Sequence, residues 1–345
     1  MKLTLKQIVI SLSFMGMPLL GMAQMMDSSA TVMTSLHKWV KFDGVIKTKL
    51  EVSAEDGVMR FNVRNSRLGV RGDIGEYASY RVQVEFSSEG TFSPLDLYGT
   101  LKPAKGLNVN FGQASIPFDN QYIISPAEMM FSNRAFVGKY FTPGSRDIGV
   151  VVKYRFPFEA FPLEGEAGIF NGGRINEPQW TDEPSYAARL IAGSMDGFRA
   201  SAKLYHYNSE AIGMLLWGTD VHYANDRLRV EAEVMNRTSH TTSRDLLGIY
   251  IQGAYRFDLR NGKMFHSLSP AFRWDAMGYD VADAGFDVNR LTFGINFGLD
   301  LKPFESTLRI DCEQYFLRNN HFAELDNRDP HVADNKVTLE LVLRF

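Results

Sequence analysis

The last ten residues, KVTLELVLRF, alternate. Val337, Leu339, Leu341, Leu343 and Phe345 are apolar, while Lys336, Thr338, Glu340 and Arg344 between them are polar or charged. Side chains of a β-strand point alternately to opposite faces, so one face of this segment is oily and the other wet. The same rhythm recurs through the chain. YRVQVEF sets Tyr80, Val82, Val84 and Phe86 against Arg81, Gln83 and Glu85; LRVEAEV sets Leu228, Val230, Ala232 and Val234 against Arg229, Glu231 and Glu233. TLRIDCEQYF and LTFGINFGLDL repeat it. A sustained 3.6-residue period is almost absent beyond the first residues.

The alternation predicts strands near 37–51, 59–73, 77–88, 94–102, 107–113, 147–155, 162–171, 185–195, 197–207, 213–225, 227–238, 245–257, 264–276, 288–301, 304–317 and 336–345. About sixteen strands, most with nine or more residues, is an even number within the range of transmembrane barrels. Longer and shorter connections alternate, as external loops and periplasmic turns do. Trp39, Phe42, Tyr77, Tyr80, Phe156, Phe158, Phe161, Phe198, Phe257, Phe265, Phe304 and Phe345 fall at the strand ends expected on the periplasmic side, where an interfacial girdle belongs. The expected fold is therefore an all-β transmembrane antiparallel barrel over residues 24–345. A secreted β-sandwich, which shares the period, is the competing expectation.

Composition sharpens this picture. Lys2 and Lys6 precede an apolar run from Ile8 to Leu20, and Gly21-Met22-Ala23 supplies small residues, so 1–23 reads as an export signal. No later stretch has the roughly 18 apolar residues of a membrane helix. Beyond residue 23 there are 35 basic and 40 acidic side chains, net −5, which gives no basic footprint for nucleic acid. The single cysteine, Cys312, cannot make an internal disulfide.

Inward positions can be read from the same alternation. Lys41, Lys47, Lys49, Arg64, Arg71, Arg81, Lys153, Arg155, Arg199, Lys203, Arg229 and Arg309 are cationic, against Asp43, Glu85, Glu231, Glu233, Asp311 and Glu313. Cations lining a confined channel set anion selectivity, although cross-strand pairing absorbs many such charges. The segment 114–146 is too long for a hairpin and carries Ile116, Phe118, Tyr122, Met129, Met130, Phe131 and Phe136, so it should pack against the inner wall. Arg134, Lys139, Arg146 and Asp147 belong to or border it; the adjacent Arg146-Asp147 is expected to pin the loop by salt bridges.

GQASIPF (112–118), FSNRAF (131–136), SRDIGV (145–150) and IFNGG (169–173), with RNSRLGVRG (64–72) and YRVQVEF upstream, resemble the phosphate-selective porin O and P family, including its Bacteroidetes-type members. The resemblance is specific between about residues 60 and 173. It implies a sixteen-stranded, trimeric outer-membrane pore of a Gram-negative cell, with 114–146 as an inward third external loop. The family's ladder of arginines and cluster of lysines have no counterpart here. A porin for small hydrophilic solutes is therefore the expectation, with anions such as phosphate as the narrower option. An outer-membrane hydrolase and a closed barrel that binds a partner through its loops remain alternatives.

No catalytic or cofactor motif argues for an enzyme. G-x-S-x-G, H-E-x-x-H, C-x-x-C and a glycine-rich phosphate loop are absent, and His37, His206, His222, His240, His266, His321 and His331 show no triad spacing. Asp280, Asp283 and Asp287, and Glu324, Asp326, Asp329 and Asp334, lack EF-hand spacing and read as solvated loop charge, so neither a metal nor a cofactor is expected.

Overall fold

The terminal strand has its polar side chains inside. Thr338 and Glu340 are 0% and 1% exposed, while Val337 and Leu339 between them are 44% and 41% exposed. A soluble sandwich would show the reverse. The computed structural model describes residues 39–345 except 89–90, 160, 174, 210–211, 243, 260–263, 320–321 and 323–328. The export signal expected over 1–23 lies outside the described residues, and the compact unit is Phe42–Phe345.

Its wall begins with β1 (Lys41–Ser53), β2 (Met59–Val63), β3 (Arg67–Ile74), β4 (Ala78–Ser88), β5 (Thr91–Ala104) and β6 (Leu107–Ser115). It continues with β7 (Arg146–Arg155), β8 (Leu163–Phe170), β9 (Ser185–Gly193), β10 (Gly197–Ser209), β11 (Ile212–Ala224) and β12 (Leu228–Ser239). Then follow β13 (Asp245–Tyr255), β14 (Phe257–Asp258), β15 (Phe265–Tyr279), β16 (Val288–Leu301), β17 (Phe304–Leu317) and β18 (Lys336–Arg344). Pairs β2/β3 and β13/β14 are each one strand interrupted, at 64–66 and at Arg256, so the eighteen segments form sixteen wall strands. Each strand pairs antiparallel with its sequence neighbour, and β1 pairs with β18 from Val45↔Arg344 to Ser53↔Lys336. The sheet is thus a closed antiparallel barrel with every lateral edge paired. Among the described residues no helix is long and apolar enough to cross a membrane.

The predicted strands match these segments to within a few residues. The connections differ in one respect. All the long ones (116–145, 171–184, 280–287 and 318–335) leave one end of the barrel, but so do the two-residue connections of β4–β5 and β10–β11. These hairpins stay paired to their tips, Ser88↔Thr91 and Ser209↔Ile212, which removes the need for a loop.

At the short-turn end, Phe42, Tyr77, Phe158, Phe161, Phe198, Phe257, Phe304 and Phe345 are exposed. Several pack as pairs, with ring centroids 5.8 Å apart for Phe304–Phe345 and 4.9 Å for Tyr255–Phe257. Phe61, Phe92, Tyr186 and Phe316 are exposed nearer the other rim, so apolar wall is bounded by aromatics at both ends, the arrangement of a barrel whose solvent is lipid. Leu339 lies mid-strand on this outer face. Leu339→Arg is expected to destabilise the folded barrel by about 2–4 kcal/mol in lipid, read as a lower urea midpoint, whereas Leu339→Val should change little.

Candidate permeation pathway

Residues 116–145, between β6 and β7, fold inside the barrel. Two short helical turns shape the loop: α1 (Asn120–Ile123), whose first turn is capped by the Asp119 side chain accepting from Gln121 N at 2.8 Å, and α2 (Val137–Tyr140). Six of the seven apolar residues expected to pack do so, and the side chain of the seventh, Tyr122, lies outside those described. Ile116, Phe118, Met129, Met130, Phe131 and Phe136 are all buried, and Val137 and Phe141 join them. Wall glycines make room for two of these rings. A Cβ at Gly248 would stand 2.5 Å from the Phe141 ring, and one at Gly294 would stand 2.9 Å from that of Phe131.

The polar inner wall of β9–β17 grips the loop mainly by its backbone. Arg309 donates to the carbonyls of Pro126 (3.4 Å) and Ala127 (2.8 Å), Arg229 to Glu128 (2.6 Å), Arg273 to Asn133 (2.9 Å), Arg290 to Arg134 (2.8 Å) and Arg237 to Tyr140 (2.7 Å). Conversely, the Ser132 and Phe136 amides donate to Asp311 (2.6 Å) and Asp275 (2.9 Å). Arg273 lies over Phe131 and Arg290 over Phe136, at 4.7 and 4.4 Å from the ring centroids. Except for Arg237, which meets the Tyr279 hydroxyl at 3.4 Å, the guanidiniums that hold carbonyls are also paired with carboxylates. Arg290 bonds Asp275 (2.7 Å) and Glu313 (3.0 Å), and Arg309 bonds Glu340 (2.8 Å). Unpaired charge in so dry a contact would be costly, and these pairs avoid it.

With the loop on that side, two cavities remain around β1–β4 and the neighbouring strands. Toward the long-connection end is a cavity of about 120 Å³ lined by eight cations, Lys47, Lys49, Arg60, Arg64, Arg134, Lys139, Arg290 and Lys336, against Glu51, Asp329 and Glu340. Toward the other end a cavity of about 280 Å³ is lined by Arg67, Arg71, Arg81, Arg146 and Arg344 against Asp43, Asp96 and Glu128. Both linings carry a cationic surplus, although the whole chain is net −3.

No family model matches the chain, and no curated protein matches it. Solved structures do resemble it. OmpF of Salmonella typhi, solved with daunomycin, superposes with a TM-score of 0.65 at 11% identity over 89% of this chain and 97% of that one. An anion-selective porin from Comamonas acidovorans gives 0.61 at 10% identity, covering 88% and 98%. A loop-deletion mutant of OmpT, an outer membrane protein of Vibrio cholerae, gives 0.59 at 13%, covering 89% and 99%. The fold is a porin barrel.

Within this porin barrel the cations predicted from alternation part into two groups. Arg64, Arg71, Arg81, Arg134, Lys139 and Arg146 line the two cavities. Arg64 makes no ion pair among the described residues; Arg81 is held by both oxygens of Asp43, which also lies 3.6 Å from Arg71. Lys153, Arg155, Arg199, Lys203 and Arg309 belong to neither cavity. Lys153 and Arg155 pair with Glu166 and Glu164 on β8, Arg199 with Asp220 at 2.8 Å, and Lys203 sits fully buried between Asp220 and Glu233 beneath Phe118. Arg309 and Arg229 are spent on the loop, Arg229 facing a narrow cleft between loop and wall.

Arg146 and Asp147 do not act as one pair. Arg146 pins the loop's exit to Asp96 on β5 at 2.7 Å, as a salt bridge. Asp147, 1% exposed, lines neither of the two cavities and accepts instead from the amides of Ile148 (2.7 Å) and Gly172 (2.8 Å), fastening the connection after β8. Lys47 and Lys49 keep their lumen positions but are answered by Glu340 (3.0 Å) and Glu51 (2.7 Å). The reading by alternation passed over Arg60, Arg67, Arg189, Arg237, Arg273, Arg290 and Lys336. Arg273 and Arg290 were detectable, since each falls between outward-facing neighbours in AFRWDAM and NRLTF. The second inward element was not. Phe322, 1% exposed, packs tilted against Phe136 at 5.1 Å and edge-on to Tyr140 at 5.4 Å, so this side chain of the connection after β17 also points inward.

The loop acids are spread over separate partners, and Asp334 meets His331 at 2.8 Å. Asp287 accepts from Tyr279 N (2.9 Å) and faces Arg318 at 3.3 Å. Glu324 and Asp326 lie outside the described residues.

Proposed function

We propose that the chain is an outer-membrane channel passing small hydrophilic solutes by diffusion, and that it favours anions, inorganic phosphate among them. The observation that carries this reading is the cationic surplus of the two cavities that the inward loop leaves around β1–β4 and the neighbouring strands. Lumen cations held between low-dielectric walls concentrate anions and repel cations. The acidic side chains Glu231, Asp275 and Glu313, which line neither cavity, do not cancel this field, because Arg229, Arg273 and Arg290 pair with them.

The reading includes export through the 1–23 signal, a place among the phosphate-selective porin O and P proteins, a homotrimeric assembly and no catalytic role. The motif resemblance between residues 60 and 173 supports the family and the trimer; the outward apolar band supports lipid as the surrounding medium. The test is a planar bilayer. Discrete conductance steps are expected, with a reversal potential of anionic sign under a salt gradient. Preference should weaken as salt rises, since the Debye length falls from about 10 Å at 0.1 M to about 3 Å at 1 M. Absence of steps would overturn the channel; a cationic sign would overturn the selectivity.

A further inference from the structure

We propose that Asp56, His331 and Asp334 form a site for a divalent transition metal of the zinc class, which clamps the β1–β2 turn to the connection before β18. The three residues come from both sides of the seam where the first and last strands close the barrel. Their ligand atoms lie within 4.8 Å of one another. His331 Nδ1 is 2.8 Å from Asp334 Oδ2 and 3.4 Å from Asp56 Oδ2. Separations of about 3 to 3.5 Å are those between neighbouring ligands around an ion bound at about 2.0–2.2 Å to nitrogen and carboxylate oxygen.

One nitrogen facing two carboxylate oxygens is poorly served by a proton alone. Nδ1 carries at most one hydrogen, which can be directed fully to only one acceptor. An ion in the same place would satisfy all three. One imidazole with two carboxylates suits zinc and its transition-metal neighbours, whereas magnesium and calcium prefer sites built wholly of oxygen. The remaining positions open to water, because Asp56 and His331 are partly exposed.

The surroundings orient the ligands. Ser53 Oγ donates to Asp334 Oδ2 at 2.6 Å, and the His331 amide donates to Asp329 Oδ1 at 3.1 Å. Such supporting bonds are what hold metal ligands in place. A backbone bond from Ala54 N to Asn335 O at 2.8 Å joins the two segments, and one from Ser53 N to Val58 O at 2.9 Å closes the β1–β2 turn. Nearby cations are engaged elsewhere: Arg60 with Glu51 (2.7 Å) and Asp329 (3.0 Å), and Lys336 Nζ with the His331 carbonyl (2.8 Å). Glu55, whose carboxylate accepts from Asn335 N at 3.3 Å, adds a further negative charge.

The test uses the untagged chain from residue 24 onward, refolded in detergent and stripped with a chelator. Calorimetric titration with zinc chloride is expected to show one saturable site per chain, with magnesium chloride giving none at the same concentrations. Zinc should also raise the melting temperature, since an ion that binds only the folded state stabilises it. His331→Gln and Asp56→Asn, both at partly exposed positions, should each weaken zinc at least tenfold and abolish the melting shift. Lack of saturable zinc binding, or binding unchanged by both substitutions, would overturn the site. Neither result bears on conductance, so the channel reading is judged separately.

Discussion

Replacing Arg290 with alanine is expected to loosen the inward loop and destabilise the barrel together. Arg290 lies on β16 with its side chain 4% exposed, bonded to Asp275, to Glu313 and, at 3.1 Å, to the Tyr315 hydroxyl. It also donates to the Arg134 carbonyl and covers Phe136. Removing it leaves Asp275 and Glu313, both about 1% exposed or less, to share Arg273 at 3.6 and 3.5 Å. Breaking a buried pair of this kind costs about 3–5 kcal/mol. Unfolding of Arg290→Ala in urea should therefore shift strongly, and its single-channel steps should widen or fluctuate as the loop leaves the wall. Arg290→Lys should recover part of the stability but not the steady conductance, because an ammonium cannot reproduce the planar fork. Arg155→Ala is the contrast: its guanidinium is 74% exposed beside Glu164, and exposed pairs are worth about 0–1 kcal/mol. Equal behaviour of Arg290→Ala and Arg155→Ala would refute this account of the loop.

That contrast explains how much the sequence revealed. Strands were legible because lipid on one side and water or a polar packing layer on the other impose period two on every wall segment, as Val337–Thr338–Leu339–Glu340 shows. The loop was legible too, since seven apolar side chains in a long connection must bury somewhere. Which inward charges stay open was not. Lys203 and Arg64 occupy equivalent inward positions by alternation, yet one is fully buried between Asp220 and Glu233 while the other lines a cavity. The difference depends on which wall the loop covers, and that is decided by partners far apart in sequence, such as Phe141 with Gly248 and Phe131 with Gly294. The Asp56–His331 approach was hidden for the same reason: 275 residues separate the two, and only closure of the barrel joins them.

Holding the loop through its carbonyls has a consequence for the passage. The bonds from Arg229, Arg237, Arg273, Arg290 and Arg309 go to backbone oxygens, so they constrain the loop's path without dictating its side chains. The side chains of Arg134 and Lys139 line the open side, while Arg134 is held through its carbonyl. Charge in the passage can therefore be altered with little effect on loop placement.

Arg64→Glu combined with Arg71→Glu exploits that separation and is expected to have the largest effect on selectivity. Eight cations face three acids in the cavity toward the long connections, and five face three in the other. One reversal in each lowers either surplus by two charges, which leaves the second cavity without a net surplus. Neither residue is tightly bound. Arg64 makes no ion pair among the described residues, and Arg71, 63% exposed, approaches Asp43 only to 3.6 Å while Arg81 holds that carboxylate on both oxygens. Stability should consequently stay within about 0.5 kcal/mol of the parent, as for most surface changes. At 0.1 M salt or below, the reversal potential should fall steeply toward zero with conductance steps preserved. The same reversal at Lys203, fully buried between two carboxylates, should prevent folding instead. If the double variant keeps its full anionic reversal potential at low salt, the open passage is not where selectivity arises, and the wall beneath the loop must be reconsidered.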